Sequence, residues 1–241
     1  MSVTRLVVPP GHAIAPGLVL VPAEAAHHAR VTRVAPGDPV EILDLEGAVG
    51  VGRLAAWQGR GCVVEVDRVE RERGEPPEPL VLGLGVLHTD AFDWAVEKAC
   101  ELGATAVVPV VTGRVQGRRH DRRTARWQRL ADAAVTQCGR SRPPRVAEPA
   151  PLEDFVAAAA GVRVLADLAD AGARPPVAPD GTGITVLVGP EGGFSADEAE
   201  AARRAGFVSL GLGPRVLRAE TAAVAALAAV QLHAGWWSRP R

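Results

Sequence analysis

At 241 residues the chain is long enough for one large or two small domains, and a hydrophobic fraction of 47% supplies at least one sizeable core. Its 27 basic and 28 acidic side chains nearly cancel, which excludes charge-driven disorder for the chain as a whole. Three scattered cysteines, Cys62, Cys100 and Cys138, suit neither a disulfide scaffold nor a structural zinc site, so no metal is expected. No apolar run resembles a membrane span of roughly 18 residues, and Met1 to Pro10 lacks the apolar stretch of a signal peptide; the reading is a cytoplasmic globular protein. Lys98 is the only lysine, and asparagine and tyrosine are absent. A bias toward GC-rich codons gives that pattern without any function, so arginine abundance alone carries little weight.

The first 70 residues read as mostly extended. A short helical piece lies between Pro22 and Arg33 and stops near Pro36-Gly37. Val40 to Leu45 reads as a strand ended by Gly47, and Cys62 to Val69 as a cleaner one, preceded by the glycine-bearing turn Gln58 to Gly61. Short strands punctuated by glycine predict a small barrel or sandwich with helix in the minority. Residues 71 to 79, RERGEPPEP, contain no apolar side chain beyond proline and predict an exposed connection. The domains expected are therefore 1–72 and 80–241, joined by a linker at 73–79.

Beyond the linker the period changes. Leu80 to Leu87 is an apolar run, as in a strand covered on both faces. Asp90 is expected to cap a helix reaching Glu101, with Asp93 as its box partner, and Gly103 to end it. Thr105 to Val111 and Ile184 to Val188 read as strands, Ser195 to Ala205 as a helix, Val208 to Leu210 as a strand, and Glu220 onward as a helix. Alternation of this kind predicts an α/β fold with a mostly parallel sheet. From Ala222 to Val230 no side chain is polar, so the last helix is expected to be covered on every side, by deep packing or by a subunit interface.

Two turns carry the chemistry. Gly189-Pro190-Glu191-Gly192-Gly193 follows a buried strand and precedes the capping box Ser195 to Glu198, so it sits where open α/β sheets bind ligands. Its glycines let backbone amides approach a ligand, while Glu191 in mid-turn has no apolar role. No lysine follows, so a phosphate loop does not fit. Gly83-Leu84-Gly85 and Gly211-Leu212-Gly213 lack the third glycine of a dinucleotide turn. The second turn, Leu210 to Arg218, leads into the final helix at Ala219-Glu220-Thr221. Between Gly113 and Arg145, ten arginines face only Asp121 and Asp132, a local excess of positive charge suited to a polyanion. Trp127 at helical spacing reads as core.

These two turns, together with Glu97-Lys98, Glu101-Leu102-Gly103, Gln137-Cys138-Gly139-Arg140 and His27 to Arg33 followed by Gly37-Asp38, resemble the ribosomal small-subunit RNA methyltransferases that act on uridine N3. That family belongs to the SPOUT superfamily, and the resemblance spans nearly the whole chain. It implies a C-terminal SPOUT-type α/β domain with a deep trefoil knot, a small N-terminal PUA-like β-barrel, and a homodimer. It further implies S-adenosyl-L-methionine as cofactor and 16S rRNA, within the assembled small subunit, as partner. The cofactor-binding residues implied are Leu165, Gly189, Pro190, Glu191, Gly192, Gly193, Leu210, Gly211, Val216, Leu217, Thr221 and Ala222. RNA contacts are expected at Arg30, Arg33, Arg114, Arg118, Arg119, Arg122, Arg126 and Arg140. Arg218 and Glu220 are the catalytic candidates. Arg218 either stabilises the uridine anion or grips a phosphate; Glu220 either accepts the N3 proton or holds an arginine and the helix start. The chain departs from the family at Thr136, where glutamate is usual, and between His88 and Trp94, where a lysine-glycine pair is missing.

Overall fold

The computed structural model describes residues 3–113, 123–166 and 181–238. Contacts divide the chain into two units, one of residues 1–75 with Val135–Pro143, the other of Pro76–Ala134 with Pro144–Arg241. No helix among the described residues is long and apolar enough to cross a membrane.

The first unit is a five-stranded sheet ordered β1-β3-β4-β5-β2. Its strands are β1 (Thr4–Val7), β2 (Gly17–Val21), β3 (Pro39–Leu43), β4 (Ala48–Gln58) and β5 (Gly61–Arg71), with helix α1 (Ala23–Val31) following β2. β1 runs parallel to β3 and the remaining pairs are antiparallel. Among the described residues no ladder joins β1 to β2, so the strand path is open. The core is built from alternate strand residues, Val19 and Val21 on β2, Val40 and Ile42 on β3, and Val64 and Val66 on β5, closed by Ala26 and Ala29 of α1.

The stretch read as an exposed connection is partly buried in ion pairs. The Arg73 guanidinium donates to both carboxylate oxygens of Glu41 (2.7 and 2.8 Å) and to the Gly139 carbonyl (3.0 Å). Arg5 donates to the same carboxylate at 2.9 Å and to the Thr136 carbonyl at 2.7 Å. Glu75 takes Arg140 at 2.6 Å and the Ser141 hydroxyl at 3.1 Å. Ion pairing between 71–75 and 135–143 supplies what apolar burial does not, and the absence of apolar side chains was a poor guide to exposure there.

The second unit is a seven-stranded sheet whose main path is β12-β10-β11-β6-β7-β8, with β9 also on β7. The strands are β6 (Leu80–Gly85), β7 (Ala106–Val111), β8 (Arg145–Val146), β9 (Ala150–Pro151), β10 (Val162–Ala166), β11 (Ile184–Val188) and β12 (Val208–Leu210). Every pairing is parallel. The helices are α2 (Thr89–Glu101), α3 (Thr124–Cys138, of which the part up to Ala134 belongs to this unit), α4 (Leu152–Ala158), α5 (Ala196–Arg204) and α6 (Ala219–His233). Alternation along β11 sets the layers. Ile184, Val186 and Val188 join the core against α2, α3 and α6, whereas Leu187 packs with Phe155 of α4 and Ala199 of α5. Both faces of the sheet are covered, as the uninterrupted apolar runs required.

Two local expectations change. The α2 N-cap is His88, without a side-chain cap bond, and Asp90 falls inside the first turn. Asp93 does not serve a capping box; it is buried and accepts hydrogen bonds from Trp127 Nε1 and Arg126. Helix α6 is not covered on every side within one chain. Ala219, Ala223, Ala226, Leu227 and Val230 are buried, while Val224, Ala225 and Ala228 are half-buried and Leu232 is exposed.

Candidate active site

The glycine turn begins where β11 ends. Its carbonyl at Pro190 accepts the Gly193 amide at 2.8 Å, closing a β-turn with Glu191 and Gly192 at the corner. Gly193 has φ +65, a left-handed conformation that suits glycine. Immediately behind it, Ser195 caps α5 in a complete box: its hydroxyl accepts the Glu198 amide (3.2 Å), and Glu198 accepts the Ser195 amide (2.7 Å). The other Glu198 oxygen takes the Gly113 amide at 2.8 Å.

The two glycines of β6 make room for neighbours. A Cβ on Gly83 would lie 2.3 Å from the Phe155 ring, and one on Gly85 would lie 2.3 Å from the Pro190 nitrogen. Close packing accounts for the glycine pair that resembled half a dinucleotide turn.

Between this turn and the one preceding α6 lies a cleft of about 740 Å³. Gly189, Pro190, Glu191, Gly192, Gly193 and Phe194 line one side. Leu212, Val216, Leu217, Arg218, Ala219, Glu220 and Ala222 line the other, with Ala91, Ala166, Val188 and Ala199 completing the wall. The volume is within the usual range for small-molecule sites, about 300–1,000 Å³. Apolar walls carry two carboxylates, Glu191 and Glu220, and one guanidinium. Arg218 is the N-cap residue of α6, with its side chain 86% exposed and Nη1 4.0 Å from Glu220 Oε1; the Glu220 side chain is largely buried.

Four residues of the expected set lie outside the lining. Leu165 is fully buried among α4 and α5, and its register partner is Leu187. The next residue, Ala166, pairs with Val188 and faces the cleft, so the strand period of two moves the wall by one position. Leu210 is likewise core, and Leu212, two residues on, lines the cleft. Gly211 is half-buried away from the wall and Thr221 is exposed, while Ala222 faces inward. Phe194 and Ala91 were missed. Phe194 follows the glycine run directly, which was a usable signal; Ala91 reaches the wall only through the packing of α2.

The arginines separate by environment. Arg114, Arg118, Arg119 and Arg122 lie outside the described residues. Arg126 is half-exposed and paired with Asp93. Arg30 sits over the Trp57 ring, 4.5 Å from its centroid, and donates to the Gly59 carbonyl. Arg33 is exposed and has φ 57. Arg140 is buried at 3% exposure with Glu75 as its ion-pair partner, so its guanidinium has no surface to offer RNA.

Across residues 74–231 the sequence matches the RNA methyltransferase domain family, which gives the class: an RNA methyltransferase domain on a parallel α/β sheet. More narrowly, the chain belongs to the ribosomal RNA small subunit methyltransferase E family. It is 34% identical over 234 residues to that protein from Mycobacterium bovis, covering 89% of this chain and 86% of the relative. The Synechocystis protein of the same name is 32% identical over 233 residues, covering 94% of this chain and 76% of the relative. The Neisseria gonorrhoeae enzyme of that name, solved bound to S-adenosyl methionine, superimposes with a TM-score of 0.84 at 29% identity, covering 96% of this chain and 98% of that one.

Proposed function

We propose that this protein is an S-adenosyl-L-methionine-dependent methyltransferase that methylates N3 of a specific uridine in 16S rRNA. The observation that carries the reading is the single cleft that both signature turns line, in a chain of this family. The residues present fit the cofactor. Val188, Leu212, Leu217 and Ala222 offer apolar contact for a flat adenine, backbone amides of the glycine turn offer hydrogen bonds, and Glu220 suits a ligand bearing positive charge. Bound there, adenosylmethionine supplies a methyl group on a sulfonium leaving group, so no metal is called for.

The chain's own residues then have two tasks. One is alignment of the target nitrogen, which the rigid strand ends and turns provide. The other is disposal of the N3 proton as the nitrogen gains its methyl carbon. Glu220, which lines the cleft beside Arg218, is the group assigned to accept it. Arg218 cannot act as a base and instead offsets the negative charge spread over the uracil oxygens, or holds the neighbouring phosphate.

The finer architecture follows the same reading: a deep trefoil knot in the second unit, a PUA-like barrel in the first whose Arg30 and Arg33 meet RNA, a homodimer and a cytoplasmic location. The half-buried side of α6, with Trp94, Leu232 and Trp237 exposed, supports the homodimer. Calorimetric titration with adenosylmethionine, followed by nucleoside mass mapping of treated 16S rRNA, tests the function. Micromolar binding and 3-methyluridine are expected. No binding would leave an RNA-binding protein without methyl transfer, and a 2′-O-methyl product would reassign the target atom.

A further inference from the structure

Glu191 is exposed at the corner of the glycine turn, yet one of its oxygens is committed: Oε1 accepts the backbone N–H of His88 across 2.9 Å. His88 is the N-cap residue of α2, with φ −55 and ψ 148, three residues beyond the end of β6. The contact joins segments 103 residues apart and lies next to a second one, the close approach of Gly85 to Pro190. The β6–α2 connection therefore meets the glycine turn at two points, one steric and one charge-assisted. One turn into α2, Ala91 is part of the cleft wall, so this connection sets where that wall stands relative to the glycines.

The geometry points to Glu191 as a positioning residue, whose carboxylate holds the α2 N-terminus and the glycine turn at the spacing that adenosylmethionine binding needs, acting through the His88 amide. This rests on the cleft being the cofactor site. A carboxylate at the corner of such a turn invites assignment as a proton acceptor. Its bond to a backbone amide argues otherwise, because the amide uses a lone pair and orients the group toward α2. Positioning needs only an oxygen acceptor, so glutamine can replace glutamate. Proton acceptance needs the charge, so glutamine cannot.

Four variants separate the two roles. Glu191→Ala deletes the acceptor and Glu191→Gln keeps one. His88→Pro deletes the donor at a φ that proline adopts without strain, and His88→Ala keeps the donor while removing the imidazole. Affinity for adenosylmethionine is read by calorimetry and turnover at saturating cofactor by methyl incorporation into RNA. Thermal unfolding accompanies each variant. Glu191→Ala should bind about tenfold more weakly than the parent, the size expected for one charge-assisted hydrogen bond. His88→Pro should bind about tenfold more weakly than His88→Ala. Combining Glu191→Ala with His88→Pro should add little to either, because both break the same bond. Glu191→Gln should recover most of the affinity with kcat within about threefold of the parent, placing the loss in KM. If His88→Pro matches His88→Ala, or if Glu191→Gln keeps its affinity and loses kcat, the positioning role is wrong. Failure of the parent itself to bind adenosylmethionine would overturn the cofactor reading instead, so the two failures are distinguishable.

Discussion

Trp127 Nε1 donates to Asp93 Oδ1 across 3.0 Å at a point where Trp127 is fully buried and Asp93 8% exposed. The Trp127 ring also packs on Phe92, with centroids 4.3 Å apart. The pair ties α2 to α3 and accounts for an acidic residue on the inner face of α2. Asp93→Ala leaves the indole N–H buried without a partner, and a loss of about 3 kcal/mol is expected. Asp93→Asn should lose much less, since an amide oxygen still accepts. Urea unfolding of both variants checks this. Equal losses would mean that charge, not the acceptor, is what α3 requires.

A second prediction concerns acid. Burial alone would raise the Glu41 carboxyl, but hydrogen bonds from Arg73 and Arg5, with their charges, outweigh it and hold the group below its usual range. A carboxyl depressed in the folded state stabilises fully above its unfolded value of about 4.3 and ceases to do so as pH falls through the folded one. The thermal midpoint should therefore stay level on this account down to about pH 5 and decline below about pH 4. Glu41→Gln should lower the midpoint at neutral pH and shrink the acid decline. Glu41→Ala, which removes the carboxylate that two half-buried guanidinium groups share, should cost about 3 kcal/mol. An unchanged acid profile in Glu41→Gln would remove Glu41 from the account.

Much of the second unit was legible because its signals are local. Ile184–Val188 and Val208–Leu210 fall where apolar runs bounded by glycine put them, and the Ser195–Glu198 box is read directly from four residues. The approach of the two turns was legible only through the family resemblance, since turns some 20 residues apart do not announce that they share a cleft. What is not legible is tertiary. Leu165 and Leu210, implied by the resemblance, lie in the core beside the cleft, because which neighbour faces it depends on strand phase against the whole sheet. Arg140 looked like surface charge because its partner, Glu75, lies 65 residues away in a segment that seemed to have nothing to bury. Gly83 and Gly85 lack the third glycine of a dinucleotide turn, and their packing role has no local signal because the ring and the proline they accommodate are remote in sequence.

The two β6 glycines give a third prediction, because their neighbours differ. Gly83→Ala collides with the Phe155 ring in the layer below the sheet, away from the cleft. It should cost about 1–3 kcal/mol of stability and leave adenosylmethionine affinity near the parent value. Gly85→Ala collides with the backbone of Pro190 and must displace the glycine turn. Affinity should fall at least about tenfold in addition to any stability loss. Thermal unfolding and cofactor titration on both proteins separate these effects. A Gly85→Ala protein that folds and binds normally would show that the turn tolerates movement, which a cofactor wall of this kind should not.

The last prediction uses the difference between an exposed arginine and a buried one. Arg129 projects from α3 in an exposed position and donates to the Ala125 carbonyl four residues back. Arg140 is held by Glu75 at 3% exposure. If α3 faces the phosphate backbone, each arginine engaged there releases counterions, and its loss reduces the log–log salt slope by about 0.7–0.9. Arg129→Glu should therefore weaken RNA binding most at low salt, flatten the slope by about that amount, and leave the melting temperature nearly unchanged. Arg140→Ala should do the opposite. It leaves Glu75 half-satisfied in the interior of the first unit, so the melting temperature falls steeply, while whatever protein remains folded retains its salt slope. Filter binding between low and moderate salt, with unfolding curves on the same samples, decides the matter. An unchanged slope in Arg129→Glu would move the RNA face off this helix, and a flattened slope without destabilisation in Arg140→Ala would mean that the buried guanidinium reaches RNA after all.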